Sequence, residues 1–228
     1  PRAEANAVWR YLPHVVYPET RDWLRAAIVG GKADDARLKL KGDLKKFPFP
    51  GNRDGIFQVT TRANGATLRY GPGWPEITGI NADLQFEASR MVIQAKTGSI
   101  YGVALAGARA EIPALGADEP VLKVKGKAAG PTAEFLRFVD TSPVADWIER
   151  FTEGLQVQGN GNLQIQLTIP LSHIDKSVVE GDYAFVNNRI VIDEATPPLT
   201  DVNGQLRFTE KAVTVRNASA SMLGAPTS

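Results

Sequence analysis

Cysteine is absent from this chain, which excludes disulfide staples and thiolate metal sites and leaves cytosol and periplasm equally open. Only two histidines occur, His14 and His173, and no His-x-x-His or His-Glu-x-x-His spacing exists. A metal centre would therefore have to be assembled from scattered carboxylates, and each histidine reads as a loop residue at an element edge. No apolar run approaches the ~18 residues of a membrane helix, and no signal peptide opens the chain. Any anchor or export signal is expected outside this stretch, which begins at Pro1 and closes on 223–226 like a segment of something longer. Excess charge is also missing: Lys and Arg total 26 against 25 Asp and Glu, scattered through both halves. That balance gives no basic stripe for nucleic acid and no field to steer anionic substrates.

Catalytic constellations are missing as well. The closest carboxylate pairs are Asp34-Asp35 and Glu180 with Asp182. Glycoside hydrolysis needs such a pair held across a cleft. Asp34-Asp35 instead reads as turn polarity, and Glu180 and Asp182 flank Gly181 on the wet face of a strand. No serine sits in a Gly-x-Ser-x-Gly elbow or a Ser-x-x-Lys helix. The run Gly159-Asn160-Gly161-Asn162 is glycine-rich but leads into a strand rather than a helix, so it reads as a turn and not a phosphate cradle. No cofactor is expected, and the chain reads as a non-enzyme.

What fills the sequence is alternation of period two. Ile80, Ala82, Leu84 and Phe86 alternate with Asn81, Asp83, Gln85 and Glu87. Leu163, Ile165, Leu167 and Ile169 alternate with Gln164, Gln166 and Thr168, and Val202, Gly204, Leu206 and Phe208 follow the same rule. Successive strand side chains point to opposite faces, so each run describes a sheet with one apolar and one wet face. Short linkers with turn signals at 63–65, 71–73, 187–188 and 209–211 predict an antiparallel meander. Helical spacing appears in two places only. Thr20 caps a short helix stopped by Gly30-Gly31, and a second helical stretch covers 131–139, followed by a Ser142-capped helix ending near Gly154. These helices read as packing plugs on a mainly β fold.

The strongest feature is an internal repeat. Leu84 and Phe86 line up with Leu206 and Phe208 (206 − 84 = 122), and Met91 and Ile93 with Val213 and Val215 at the same offset. Phe47-Pro48-Phe49 matches Ile169-Pro170-Leu171, and Asn81 matches Asn203, again without a gap. Asp22-Trp23 and Asp146-Trp147 mark the helix of each unit. The expected organisation is an N-terminal segment (1–33), a first β-repeat (34–127), connecting helices (128–154) and a second, truncated β-repeat (155–228). This period is longer than the ~20–50 residues of common solenoids.

A meander with one apolar face must cover it. A second sheet would make an ordinary closed core, which is the default reading of alternation. A sheet that curls without closing would instead leave a groove suited to acyl chains.

The run Trp74-Pro75-Glu76-Ile77, then Leu84-Gln85-Phe86, Met91 and Gly98-Ser99-Ile100-Tyr101-Gly102 resembles the AsmA-like family, specifically its YhdP branch, relatives of TamB-type proteins. Lys46-Phe47-Pro48-Phe49-Pro50, Gly55-Ile56-Phe57, Thr141-Ser142-Pro143-Val144, the 159–171 segment and the closing 197–226 block carry the same likeness. The resemblance implies a periplasmic stretch of a large inner-membrane-anchored protein of Gram-negative bacteria. It implies an elongated, twisted antiparallel β-sheet curled around a hydrophobic groove that conducts phospholipids between inner and outer membrane. No catalytic motif comes with the family.

On that reading the groove wall comprises Leu84, Phe86, Met91, Ile93, Leu163, Ile165, Leu167, Leu206, Phe208, Val213 and Val215. About half of these are expected to face the groove, the others packing under the helices. Phospholipid acyl chains are the implied ligand, and envelope proteins at either membrane are a partner class left open. One rival is a structural or protein-binding envelope scaffold with a closed β core and no lipid. Another is an enzyme acting on envelope polysaccharide, which lacks its acid/base pair.

Overall fold

The computed structural model describes residues 3–12, 17–49, 51 and 53–227. Twelve strands form one sheet in chain order, each antiparallel to the next. A two-residue strand β1 (Ala3–Glu4) leads to a 3-10 segment, then to α1 (Pro18–Ala27) and β2 (Ile28–Gly42). After a loop come β3 (Gly55–Leu68), β4 (Ile77–Glu87), β5 (Arg90–Ile100), β6 (Val103–Ile112) and β7 (Val121–Pro131). Helices α2 (Thr132–Asp140) and α3 (Val144–Trp147) follow. The chain then makes β8 (Gln156–Pro170), β9 (Val178–Val191), β10 (Leu199–Thr209), β11 (Val213–Met222) and β12 (Ala225–Thr227).

The sheet does not close, so the ordinary closed core expected from alternation is not what forms. The order runs from β1 to β12 without a bond between the two ends. Accessible surface is 14551 Å², whereas a compact monomer of 24.7 kDa would expose about 10,000 Å². Fully buried apolar residues are correspondingly few, and Ala5, Ala27, Ala82, Ala128 and Ala145 supply most of them. Val103, Ile112, Tyr183 and Phe49 are the larger ones, and Phe49 is the most enclosed, at 0% exposure. It packs where Gly42 and Gly55 leave room for its ring, edge-on to Phe47.

Several local expectations need correction, and backbone hydrogen bonding explains each. Ala63-Asn64-Gly65 lies inside β3 and Asn187-Asn188 inside β9, as bulges rather than turns. Gly159-Asn160-Gly161-Asn162 likewise lies inside β8, with Gly159 at φ 111 opposite Asn187 and Asn188. Asp34-Asp35 sits inside β2, Asp35 taking φ 53. Asparagine, aspartate and glycine tolerate positive φ, which a bulge needs as much as a turn does. Unbroken pairing on both sides, visible only in three dimensions, decides between them.

The bulges line up within two groups of neighbouring strands, β3–β4 and β8–β11. Positive φ recurs at Asp35, Gly65, Gly79, Gly107, Gly159, Asn187, Asp201 and Asn217, in eight of the twelve strands. Two repeat-equivalent asparagines clamp these groups. The Asn81 side chain accepts the Gly65 N–H at 3.1 Å, and Asn203 accepts the Asn187 N–H at 3.0 Å. Each also donates back within its own strand, Asn81 to the Gly79 carbonyl and Asn203 to the Asp201 carbonyl. Bulges bend a strand and increase its twist, so each group bends the sheet where it lies.

Two helix bounds differ from those expected. Helix α1 starts at Pro18 with Tyr17 in the cap position, so Thr20 lies inside the first turn and not at the cap. Proline at the first helical position costs no hydrogen bond, because that N–H would have no partner in the helix. Helix α3 ends at Trp147 instead of continuing to Gly154, since Glu149 and Arg150 turn to φ 53 and 55. Ser142 still accepts the Val144 N–H through its hydroxyl, although Pro143 occupies the formal cap.

Candidate functional site: an uncovered apolar face

Cross-strand register brings all eleven sequence-nominated residues to one face of the sheet. Leu84 pairs with Ile93 and Phe86 with Met91. The row continues from Ile93 through Ala110 and Val124 to Leu167 and Val179. Further along, Leu163 pairs with Tyr183, which pairs with Leu206, which pairs with Val215. A parallel row runs Ile165, Gly181, Phe208, Val213. The face is thus continuous from β4 to β11.

None of the eleven is fully buried. Nine are partly exposed, and Val213 and Val215 are 63% and 60% exposed. Leu38, paired with Val59 and through it with Phe86, extends the face into β2 at 65% exposure. Between the larger side chains runs a low line of Ala33, Ala63, Ala82, Ala95 and Ala108, paired strand to strand. Sequence reading missed β6 and β7, which supply Ala110, Ile112 and Val124. The signal was present in the alternation of Leu122 and Val124 with Lys123 and Lys125.

Helix α2 covers only one end of this face. Its Phe135 ring meets Tyr183 edge-on at 5.0 Å, and Tyr183 meets Phe185 at 4.9 Å. The Tyr183 hydroxyl donates to Thr132 Oγ1 at 2.9 Å in a buried contact. Burial pushes the Tyr183 phenol up from its ordinary pKa, and the Thr132 hydrogen bond opposes that shift. The helices also clasp the β3–β4 turn. Trp74 packs against Tyr70, Phe138 and Trp147 with ring centroids 5.8–5.9 Å apart, while Trp23 donates its indole N–H to the Tyr70 carbonyl at 3.3 Å. Burial, with a smaller contribution from Tyr101, raises the Tyr70 phenol to about 12.

The opposite face is wet and ionic. Arg90 and Arg109 both bond Glu111, holding its carboxyl below the usual range, and Lys96 pairs with Asp83. Glu180 and Asp182 lie exposed there on β9. Asp34 accepts the Asn64 amide at 2.7 Å, and Asp35 pairs with Arg62. These carboxylates are spread along strands and form no facing pair across a cleft. His173 is in an exposed turn 3.8 Å from Glu119, and His14 lies outside the described residues. Among the described residues no group of three His, Asp or Glu side chains could hold a metal ion, and no helix is long and apolar enough to cross a membrane.

Among the described residues the cross-strand rows named above carry no charged side chain, only apolar ones, a wall along which apolar groups leave water. Comparisons with known proteins bear on what such a wall accompanies. The chain is 26% identical over 228 residues to the intermembrane phospholipid transporter YhdP of Escherichia coli (strain K12), with 98% of this chain aligned. It spans 17% of that relative's length. No solved structure matches. The YhdP protein family matches residues 2–228, and the chain belongs to that family.

Proposed function

We propose that this chain is a periplasmic stretch of a bridge-like lipid transport protein, whose apolar face carries phospholipid acyl chains between the inner and outer membranes. The observation that carries the reading is an apolar ladder from β4 to β11 whose eleven nominated residues all stay at least partly exposed, on a sheet that stays open. Exposed apolar patches beyond a few hundred Å² commonly mark binding surfaces. The E. coli relative, named for intermembrane phospholipid transport, supplies the chemistry of the occupant. Each methylene withdrawn from water onto the wall contributes about 0.8 kcal/mol, so several methylenes hold a tail without a polar anchor. With neighbouring strands about 4.8 Å apart, the eight strands from β4 to β11 offer a path about 34 Å long across the sheet. A uniform apolar wall has no single deep well, which suits movement along it. Headgroups remain at the open edge in water, the membrane anchor lies elsewhere in the intact protein, and envelope proteins at either membrane would complete the route.

The test is solvent extraction and mass spectrometry of the purified protein, with Phe86→Glu as the variant. Phospholipid on the wild type that disappears from a folded Phe86→Glu protein is the expected result. A folded, lipid-free wild type would sink the proposal and favour a scaffold.

A further inference from the structure

Two glycines on the apolar face are explained by neither turn nor bulge. Gly161 and Gly181 have ordinary extended backbone, so any residue could adopt their conformation. What each accommodates is an aromatic ring from the adjacent strand. A Cβ on Gly181 would lie 2.1–2.6 Å from Cζ, Cε1 and Cε2 of Phe208, and one on Gly161 would lie 2.1 Å from the Tyr183 Cζ. Both rings therefore lie down on the sheet, each occupying the space that a neighbour's side chain would fill.

Their surroundings differ. Tyr183 is fixed from above, by Thr132 on its hydroxyl and Phe135 on its ring, so its flat pose belongs to the seating of α2. Phe208 has no helix over it and is only partly buried. It occupies the row Ile165, Gly181, Phe208, Val213, in the uncovered part of the face. A ring lying flat here keeps that row low, and a ring standing up would project across the path of a tail crossing from β9 to β11.

We infer that Gly181 is a clearance-setting residue: it lets Phe208 lie against the sheet and so keeps the apolar face passable to acyl chains at β9–β10. The inference rests on the proposed lipid-conducting role. Its chemistry is simple. The atoms that a new Cβ would strike are the far end of a flexible side chain, so the ring swings away from the sheet at little cost to the fold, and a ring raised off the sheet enters the path.

The experiment places photoreactive p-benzoylphenylalanine at Val215, which is exposed and pairs with Leu206, in the intact protein. The protein is loaded from vesicles of phosphatidylethanolamine and phosphatidylglycerol, and lipid adducts are counted by mass spectrometry. Gly181→Ala is expected to cut the adduct about tenfold, the scale of one overpacked contact. Adding Phe208→Leu to Gly181→Ala is expected to restore it, since no ring remains to be raised. Wild-type adduct levels in Gly181→Ala overturn the inference while leaving the lipid reading intact. So does a Gly181→Ala protein that fails to fold until Phe208→Leu is added and whose adduct the double variant does not restore, because the contact is then structural alone. No adduct in the unsubstituted protein overturns the lipid reading itself, and this inference with it.

Discussion

Val213 and Val215 lie on the same face of β11, so the double variant Val213→Glu/Val215→Glu probes whether that face is wall or core. At 63% and 60% exposure, each valine has lost about two-fifths of its surface to the protein. Fully burying a valine is worth about 1.5 kcal/mol at the low end, so the two retain roughly 1.2 kcal/mol of burial between them. Glutamate's poorer strand propensity, on a scale spanning about 1 kcal/mol, brings the expected loss to about 2 kcal/mol. Were the face sealed, two carboxylates would enter an apolar interior at several kcal/mol each, enough to unfold a domain of ordinary stability. Urea titration followed by tryptophan fluorescence separates these outcomes. Lipid occupancy on the same samples should fall as well. Losing only two methylene contacts costs about 1.6 kcal/mol, somewhat more than tenfold in occupancy. A loss of stability above about 5 kcal/mol would refute the reasoning, because it requires these positions to be packed.

Phe49→Ala should be among the most destabilising single changes, by about 3–5 kcal/mol, because its ring is fully enclosed between Gly42 and Gly55; a thermal melt shifted by a degree or less would contradict this. Asn203→Ala removes the acceptor for the Asn187 N–H and the donor to the Asp201 carbonyl, with an expected cost of about 1–2 kcal/mol. Hydrogen exchange should report it as faster exchange at Asn187, and unchanged protection there would show the clamp to be inert. Tyr70 supplies a pH signature. Its folded pKa is about 12 against an ordinary 10, so the neutral phenol stabilises the fold fully below pH 10. That stability declines as pH rises from 10 towards 12, where the unfolded chain releases its proton first. Absorbance at tyrosinate wavelengths should show a late-titrating phenol that Tyr70→Phe abolishes; an unchanged titration would reassign the shift.

Much of this molecule was legible from its residues because a strand's side chains alternate with period two whatever surrounds them. Leu84, Phe86, Leu163 and Leu206 announced their strands, and the constant spacing between Leu84 and Leu206 announced the repeat. Local signals failed where two structures share one residue preference. Asn64-Gly65, Asn187-Asn188 and Gly159-Asn160 satisfy the positive φ of a turn and of a bulge alike, and only pairing on both flanks made them bulges. Expected helix beyond Trp147 was lost for the converse reason: Glu149 and Arg150 carry side chains that favour helix, yet the return into β8 turned both to positive φ.

Alternation by itself determined that this chain makes a long antiparallel meander with one apolar and one ionic face, repeated at a fixed interval. Composition determined that no thiol chemistry belongs to it, since it holds no cysteine. What covers the apolar face was decided only in three dimensions, because period two is the same for a sheet that packs against another and for one that stays open. Register, set by cross-strand hydrogen bonds and shifted at each bulge, joined short apolar runs into one continuous wall from β4 to β11. Helix α2 meets it at Tyr183, and the eleven nominated apolar residues stayed at least partly exposed to solvent.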